Sequence, residues 1–154
     1  MIAKVFLPPN PLTKRKSVFL AGSTEMGLAE NWQQRVIKAV SEFDIDIFNP
    51  RRVDWDSSWE QTIQNKQFNA QVTWELDALD EATHILMYFD PATKSPISLL
   101  ELGLYAATGK LIVVCPEGFW RKGNVDVVCQ RYDIKVYDKL DLGLVALKFK
   151  LEYK

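Results

Sequence analysis

The stretch Ile85-Leu86-Met87-Tyr88-Phe89-Asp90-Pro91, then Ser95-Pro96-Ile97-Ser98-Leu99-Leu100-Glu101-Leu102-Gly103-Leu104-Tyr105-Ala106, then Leu111-Ile112-Val113-Val114-Cys115-Pro116, decides the fold. The two outer runs are apolar without alternation and are stopped by proline, the pattern of strands buried on both faces. Between them Leu99, Leu102, Tyr105 and Ala106 recur at helical steps. Strand, helix and strand in so short a span imply a parallel crossover.

The alternation continues in both directions. Ser17-Val18-Phe19-Leu20-Ala21 is an apolar run closed by Gly22. Trp32, Val36, Ala39, Val40 and Phe43 mark one face of a helix, and Asp44 to Phe48 a second strand stopped by Asn49-Pro50. A polar, tryptophan-containing loop follows from Arg51 to Ser58, then a helix with Phe68, Val72, Leu76 and Leu79 on its apolar face. Beyond Cys115, Ile134 to Tyr137 reads as a fifth strand and Leu140 to Leu151 as a terminal helix. Residues 1–16, with Pro8, Pro9 and Pro11 before Lys14-Arg15-Lys16, read as an arm whose basic triplet faces water. Residues 17–154 form a single domain, with no internal repeat. The expected architecture is α/β, a three-layer sandwich around a mostly parallel sheet of about five strands. In such a sheet every strand's carboxyl end lies on one edge, and ligands bind there. Gly22-Ser23-Thr24, Asn49-Pro50-Arg51-Arg52, Asp90-Pro91 and Pro116-Glu117-Gly118 should therefore converge on one crevice.

A chain of 154 residues that is 47% apolar and 25% charged can bury one core and is not disordered. Nineteen basic against 20 acidic side chains, a net charge of -1, argue against a partner held by bulk attraction, whether nucleic acid polymer or anionic membrane. They leave room for a local basic patch. No apolar run approaches the about 18 residues that span a bilayer, and the N-terminus lacks signal-peptide character. Cys115 and Cys129 are expected to be reduced thiols, which suggests a cytoplasmic protein. One histidine and no Cys-x-x-Cys make a zinc site unexpected.

Within the crevice, Gly22-Ser23-Thr24-Glu25-Met26-Gly27 is a tight turn with a helix cap, or a cradle of backbone N–H groups for a phosphate or sugar oxygen. It is neither a dinucleotide fingerprint nor a P-loop. Glu101, placed in the first turn or so of an apolar helix between Leu100 and Leu102, caps the helix dipole or acts as a nucleophile or base kept ionised by it. Gly103 and Ala106 would let that helix pack closely on the sheet. Asp90 forms a turn before proline or orients a base or sugar. Arg51 and Arg52 cap loop carbonyls or bind a phosphate. Trp55, Trp59 and Trp74 are core, interface or a stacking wall, and His84 is structural.

Phe19-Leu20-Ala21-Gly22-Ser23, the acidic helical segment, Asp90-Pro91, Ser98 to Ala106 and Gly109-Lys110 with its apolar strand together resemble the nucleoside 2-deoxyribosyltransferase family. The branch they are most similar to is the nucleoside 2-deoxyribosyltransferase-like one. Asn49-Pro50-Arg51-Arg52-x-x-Trp55 also resembles that branch. The resemblance implies a flavodoxin-like, Rossmann-like sandwich. It implies Glu101 as nucleophile, Asp90 in nucleoside binding, and Glu75 or Asp77 as the acid that serves the base; Gly22, Ser23 and Ser98 are expected to bind substrate beside them. Where several family members have a tyrosine in the first strand, this chain has Phe19. Members of the family receive an asparagine from a neighbouring subunit, for which Asn124 is the candidate, so a homo-oligomer is expected. The expected activity is cleavage or exchange of the N-glycosidic bond of a 2′-deoxynucleoside or its monophosphate. The alternatives are hydrolysis of a deoxynucleoside 5′-monophosphate and a non-catalytic sensor of a nucleotide derivative. The partner is a small-molecule nucleoside or nucleotide, and the chemistry needs neither metal nor cofactor.

Overall fold

The computed structural model describes residues 2–24, 31–51 and 58–153. In chain order its elements are β1 (Lys4–Phe6), β2 (Ser17–Gly22), α1 (Trp32–Ala39), β3 (Asp46–Phe48), α2 (Lys66–Glu81), β4 (His84–Tyr88), α3 (Pro96–Tyr105), β5 (Leu111–Val114), α4 (Lys122–Arg131), β6 (Val136–Tyr137) and α5 (Leu140–Tyr153). The strands form one parallel sheet in the order β1-β3-β2-β4-β5-β6.

Side-chain alternation along the strands builds the three layers. Phe19 and Ala21 of β2, Ile85 and Met87 of β4 and Val113 of β5 face α2, α3 and α4. Their neighbours Val18, Leu20, Leu86, Tyr88, Ile112 and Val114 face α1 and α5. Helix α1, with eight residues, is too short to persist alone. The fully buried Trp32 and Val36 hold it to the sheet, each contributing about 1.5–3 kcal/mol by burial.

Setting β1 aside, the strand order is that of the flavodoxin-like sheet, and the chain reverses direction across the sheet between β2 and β4. Their carboxyl ends are Gly22-Ser23 and Tyr88-Phe89-Asp90. The register that pairs Gly22 with Tyr88 brings these ends level.

The fold departs from the sequence expectation in several places. The sheet has six strands rather than about five, because Lys4–Phe6, within the expected arm, pairs with β3. The basic triplet does not simply face water: Lys14 pairs with Glu81 at 3.1 Å, Arg15 with Asp44 and Asp46, and Lys16 donates to the Leu151 carbonyl at 2.8 Å. For Arg15 the cause is Asp46, buried in β3, whose charge needs a partner. Helix α4 was not evident in the sequence, since only Val125 and Cys129 of its residues are buried. On α2 the buried residues are Gln71, Trp74, Ala78 and Leu79, and Leu76 is exposed. The large apolar surface of Trp74 turns that face inward, so Trp74 belongs to the core.

Candidate functional site

The site is assembled on α2 and α3, which lie side by side against the sheet. Helix α3 follows Asp90, and its first residues are Pro96, Ile97 and Ser98. Proline suits that position because its missing N–H would have no partner there. Ser98, Glu101, Leu102 and Tyr105 share the buried face of α3. Glu101 is 7% exposed. It stands in the second turn, not the first, so the helix dipole acts on it less than expected. Burial pushes its carboxyl up to about 8, and repulsion from Glu75 adds to the shift. Burial thus favours the protonated form of Glu101 and works against the ionisation that a helix N-terminus would promote.

Of the two candidate acids on α2, Glu75 is half-buried and faces Glu101, whereas Asp77 is exposed. Burial pushes Glu75 up to about 7, opposed by Gln71, whose amide favours the charged form. Gln71 donates to Glu75 Oε2 at 2.7 Å and to the Pro50 carbonyl at 3.2 Å. It thus ties the acid to the end of β3. Tyr105, on the Glu101 face of α3, donates its hydroxyl to Asp80 of α2 at 2.8 Å and fastens the two helices together.

The crevice floor is the β2–β4 switch point. Gly22 has φ +139°, and a Cβ there would lie 2.2 Å from the Tyr88 carbonyl oxygen and 2.9 Å from the Trp32 ring. Glycine is therefore required by close approach. The Trp32 indole N–H donates to the Ser23 carbonyl at 3.0 Å. The Ser23 hydroxyl does not face the crevice as a donor to ligand: Ser23 is fully buried and bonded to Thr93 and Ser95. Asp90 is buried, and its Oδ1 accepts the Ala92 N–H at 2.9 Å in the turn before α3. Arg51 is half-buried at the end of β3 and donates to Gln33 Oε1 at 3.0 Å. Gln33, on α1, is fully buried, and its Nε2 has no partner among the described residues. Arg52, Trp55 and residues 25–27 of the first turn lie outside the described residues.

Asn124 and Gly103 are elsewhere. Both line a groove of about 470 Å³ between α3 and α4, with Leu99, Leu102, Arg121, Val125 and Val128. Glu101 does not line this groove. Asn124 is exposed there, apart from the carboxyl pair. Gly103 is exposed and a Cβ there would meet nothing within 4 Å, so Ala106 and not Gly103 meets the interior. No group of three or more His, Cys, Asp or Glu among the described residues could hold a metal ion, and no described helix is long and apolar enough to cross a membrane. Cys115 and Cys129 are free thiols, buried and pushed up by that burial.

The sequence reading missed Gln71, Gln33, Thr93 and Ser95. The Gln71–Glu75 pair had a signal in its four-residue spacing on one helix. Gln33, Thr93 and Ser95 acquire their partners only across the fold.

The arrangement sets buried Glu101 of α3 against half-buried Glu75 of α2, a carboxyl pair suited to acid–base and nucleophilic work. No curated protein matches the chain. A family model described as nucleoside 2-deoxyribosyltransferase like matches residues 15–119, a span that holds β2 to β5, both carboxyls and the switch point. The chain belongs to the nucleoside 2-deoxyribosyltransferase-like family.

Proposed function

We propose that the protein cleaves or exchanges the N-glycosidic bond of a 2′-deoxynucleoside or its 5′-monophosphate, through a glycosyl ester on Glu101. The observation that carries this reading is that Glu75 of α2 and Glu101 of α3, held together by the packing of the two helices, repel each other. Like charges so placed ionise in two steps, whose apparent values of about 7 and about 8 belong to the pair. Between them the pair holds one proton. Gln71 favours the charge on Glu75, so in the free protein the proton rests on Glu101. Its passage to Glu75 leaves a carboxylate for C1′ and an acid for the base.

The glycosidic C1′–N bond then breaks, its electron pair leaves with the base, and Glu75 supplies the proton. The Glu101 carboxylate stabilises the oxocarbenium-like state and bonds to C1′, as in retaining glycosidases. An acceptor base or water attacks C1′, returns a proton to Glu75 and frees Glu101. The first outcome is transfer and the second hydrolysis. A 2′-hydroxyl would withdraw electrons from C1′, which favours deoxyribose. Asp90 and the Gly22 turn border the sugar, and Ser98 lies one turn before Glu101 on the same face.

Incubation with deoxynucleosides and their monophosphates, with and without an acceptor base, read by chromatography, tests the reading. Release or exchange of a base supports it. No product from any member of the panel, with binding retained, would favour a nucleotide-derivative sensor.

A phosphate on the substrate would be met by Arg51, at the end of β3 beside Pro50. Arg51→Ala is then expected to weaken use of a monophosphate by about 1.5–3 kcal/mol and to spare the nucleoside. Equal losses on both would make Arg51 structural, through its bond to Gln33.

The protein also self-associates in this reading. Trp74 is committed to the core, so the support comes from α3, where Ile97, Leu100 and Leu104 form an exposed apolar ridge. A monomer by light scattering at micromolar concentration would overturn it.

A further inference from the structure

Three buried hydroxyls meet where β2, β4 and α3 converge. Ser23 Oγ lies 2.9 Å from Thr93 Oγ1 and 2.6 Å from Ser95 Oγ, and the last two are 2.8 Å apart. Both ends of the group rest on the backbone of Asp90: its N–H donates to Ser23 Oγ at 2.8 Å, and its carbonyl accepts from Thr93 Oγ1 at 2.9 Å. The distances allow one continuous run through the three hydroxyls. The Asp90 amide donates to Ser23, Ser23 to Ser95, Ser95 to Thr93, and Thr93 back to the Asp90 carbonyl. Ser23 is 0%, Thr93 3% and Ser95 5% exposed, so water cannot replace a missing member without entering the core.

Ser95 is the cap residue of α3, yet its side chain caps nothing on the helix. It is held at φ 47°, a left-handed conformation unusual for serine. Its hydroxyl joins the circuit, and its carbonyl accepts the Leu99 N–H at 3.1 Å and opens the helix. A strained residue kept by surrounding bonds is a place where the fold fixes a position.

We propose that Ser23, Thr93 and Ser95 are positioning residues: their closed circuit on Asp90 sets the start of α3, and with it Glu101, against the carboxyl ends of β2 and β4. The three hydroxyls touch no substrate. They act through the helix that carries the nucleophile, and in this respect the inference rests on the function proposed above.

The test compares Thr93→Val, which keeps the shape and removes the hydroxyl, with Thr93→Ser, which restores it. Ser95→Gly removes a hydroxyl while easing the left-handed backbone, and so keeps the test open if Thr93→Val does not fold. One readout needs no turnover: the titration midpoint of Glu101, followed by carboxyl NMR of glutamate-labelled protein and assigned with Glu101→Gln. The groups facing Glu101 are Glu75 from α2 and Tyr105 from its own helix, and neither is altered. In folded Thr93→Val and Ser95→Gly the midpoint is expected to move, and in Thr93→Ser to return. The second readout is catalytic: kcat is expected to fall about tenfold or more in both, with KM little changed, because small displacements of a reacting group are costly. A folded Thr93→Val or Ser95→Gly with an unchanged Glu101 midpoint overturns the proposal, whatever its activity. A shifted midpoint in a protein that cleaves no nucleoside sustains the positioning role and removes the proposed reaction instead.

Discussion

Glu75 of α2 raises the proton affinity of Glu101 of α3, and both carboxyls are lifted by the same burial that brings the two helices together. The free protein near neutrality thus carries a carboxyl pair with a shared proton, where isolated glutamates would both be charged.

The first consequence is a bell-shaped pH profile. Below about 7 both carboxyls are protonated and no nucleophile exists; above about 8 both are ionised and the departing base has no acid. The kcat/KM of the glycosidic reaction is expected to peak between these values. Glu75→Gln is expected to lower the peak and remove the basic limb, since no acid is left to lose its proton, and to bring the Glu101 midpoint below about 8, since the repulsion of Glu75 is gone. An unchanged profile in that variant would contradict the coupling.

The same shifts bear on stability. In the unfolded chain these glutamates titrate near 4.5; folded, they hold their protons up to about 7 and about 8. Between those limits the folded state binds more protons, so stability falls as pH rises through the window and levels off above it. Urea unfolding at a series of pH values is expected to show this slope, and Glu75→Gln with Glu101→Gln together to flatten it.

Glu101→Gln is expected to abolish turnover and, above about pH 8, to stabilise the fold by about 1–2 kcal/mol, a rise in Tm of roughly 2–8 °C. It removes a buried charge and keeps the shape. A variant with near-normal rate would refute the nucleophile.

Gly22→Ala is expected to destabilise the protein by at least about 3 kcal/mol, because its Cβ would meet the Tyr88 carbonyl at 2.2 Å in a left-handed backbone. Thermal unfolding measures it. A small effect would mean that β2 and β4 can separate at the switch point.

Tyr105→Phe keeps the ring in the core and loses the bond to Asp80. A loss of about 0.5–1.5 kcal/mol is expected, toward the lower figure because exposed Asp80 recovers water. Chemical denaturation gives the number.

The amino-acid sequence determined the layering and the parallel sheet. Runs such as Leu111 to Cys115 have no polar face and can only be buried strands, and Glu101 among leucines needs a reason wherever it lies. These are local properties, carried by consecutive residues. Tertiary structure decided what periodicity leaves open. Trp74 turned α2 so that Glu75 faces Glu101 and Asp77 faces solvent. Asp46, buried by the sheet, drew Arg15 of the arm down onto the fold. The Glu101 proton affinity came from burial between helices, which outweighs the dipole of its own helix beyond the first turn. Ser23 and Thr93, far apart in the chain, met only because parallel pairing levels the ends of β2 and β4. Desolvation and long-range contact depend on what the rest of the chain places nearby, and no short stretch of sequence contains that information.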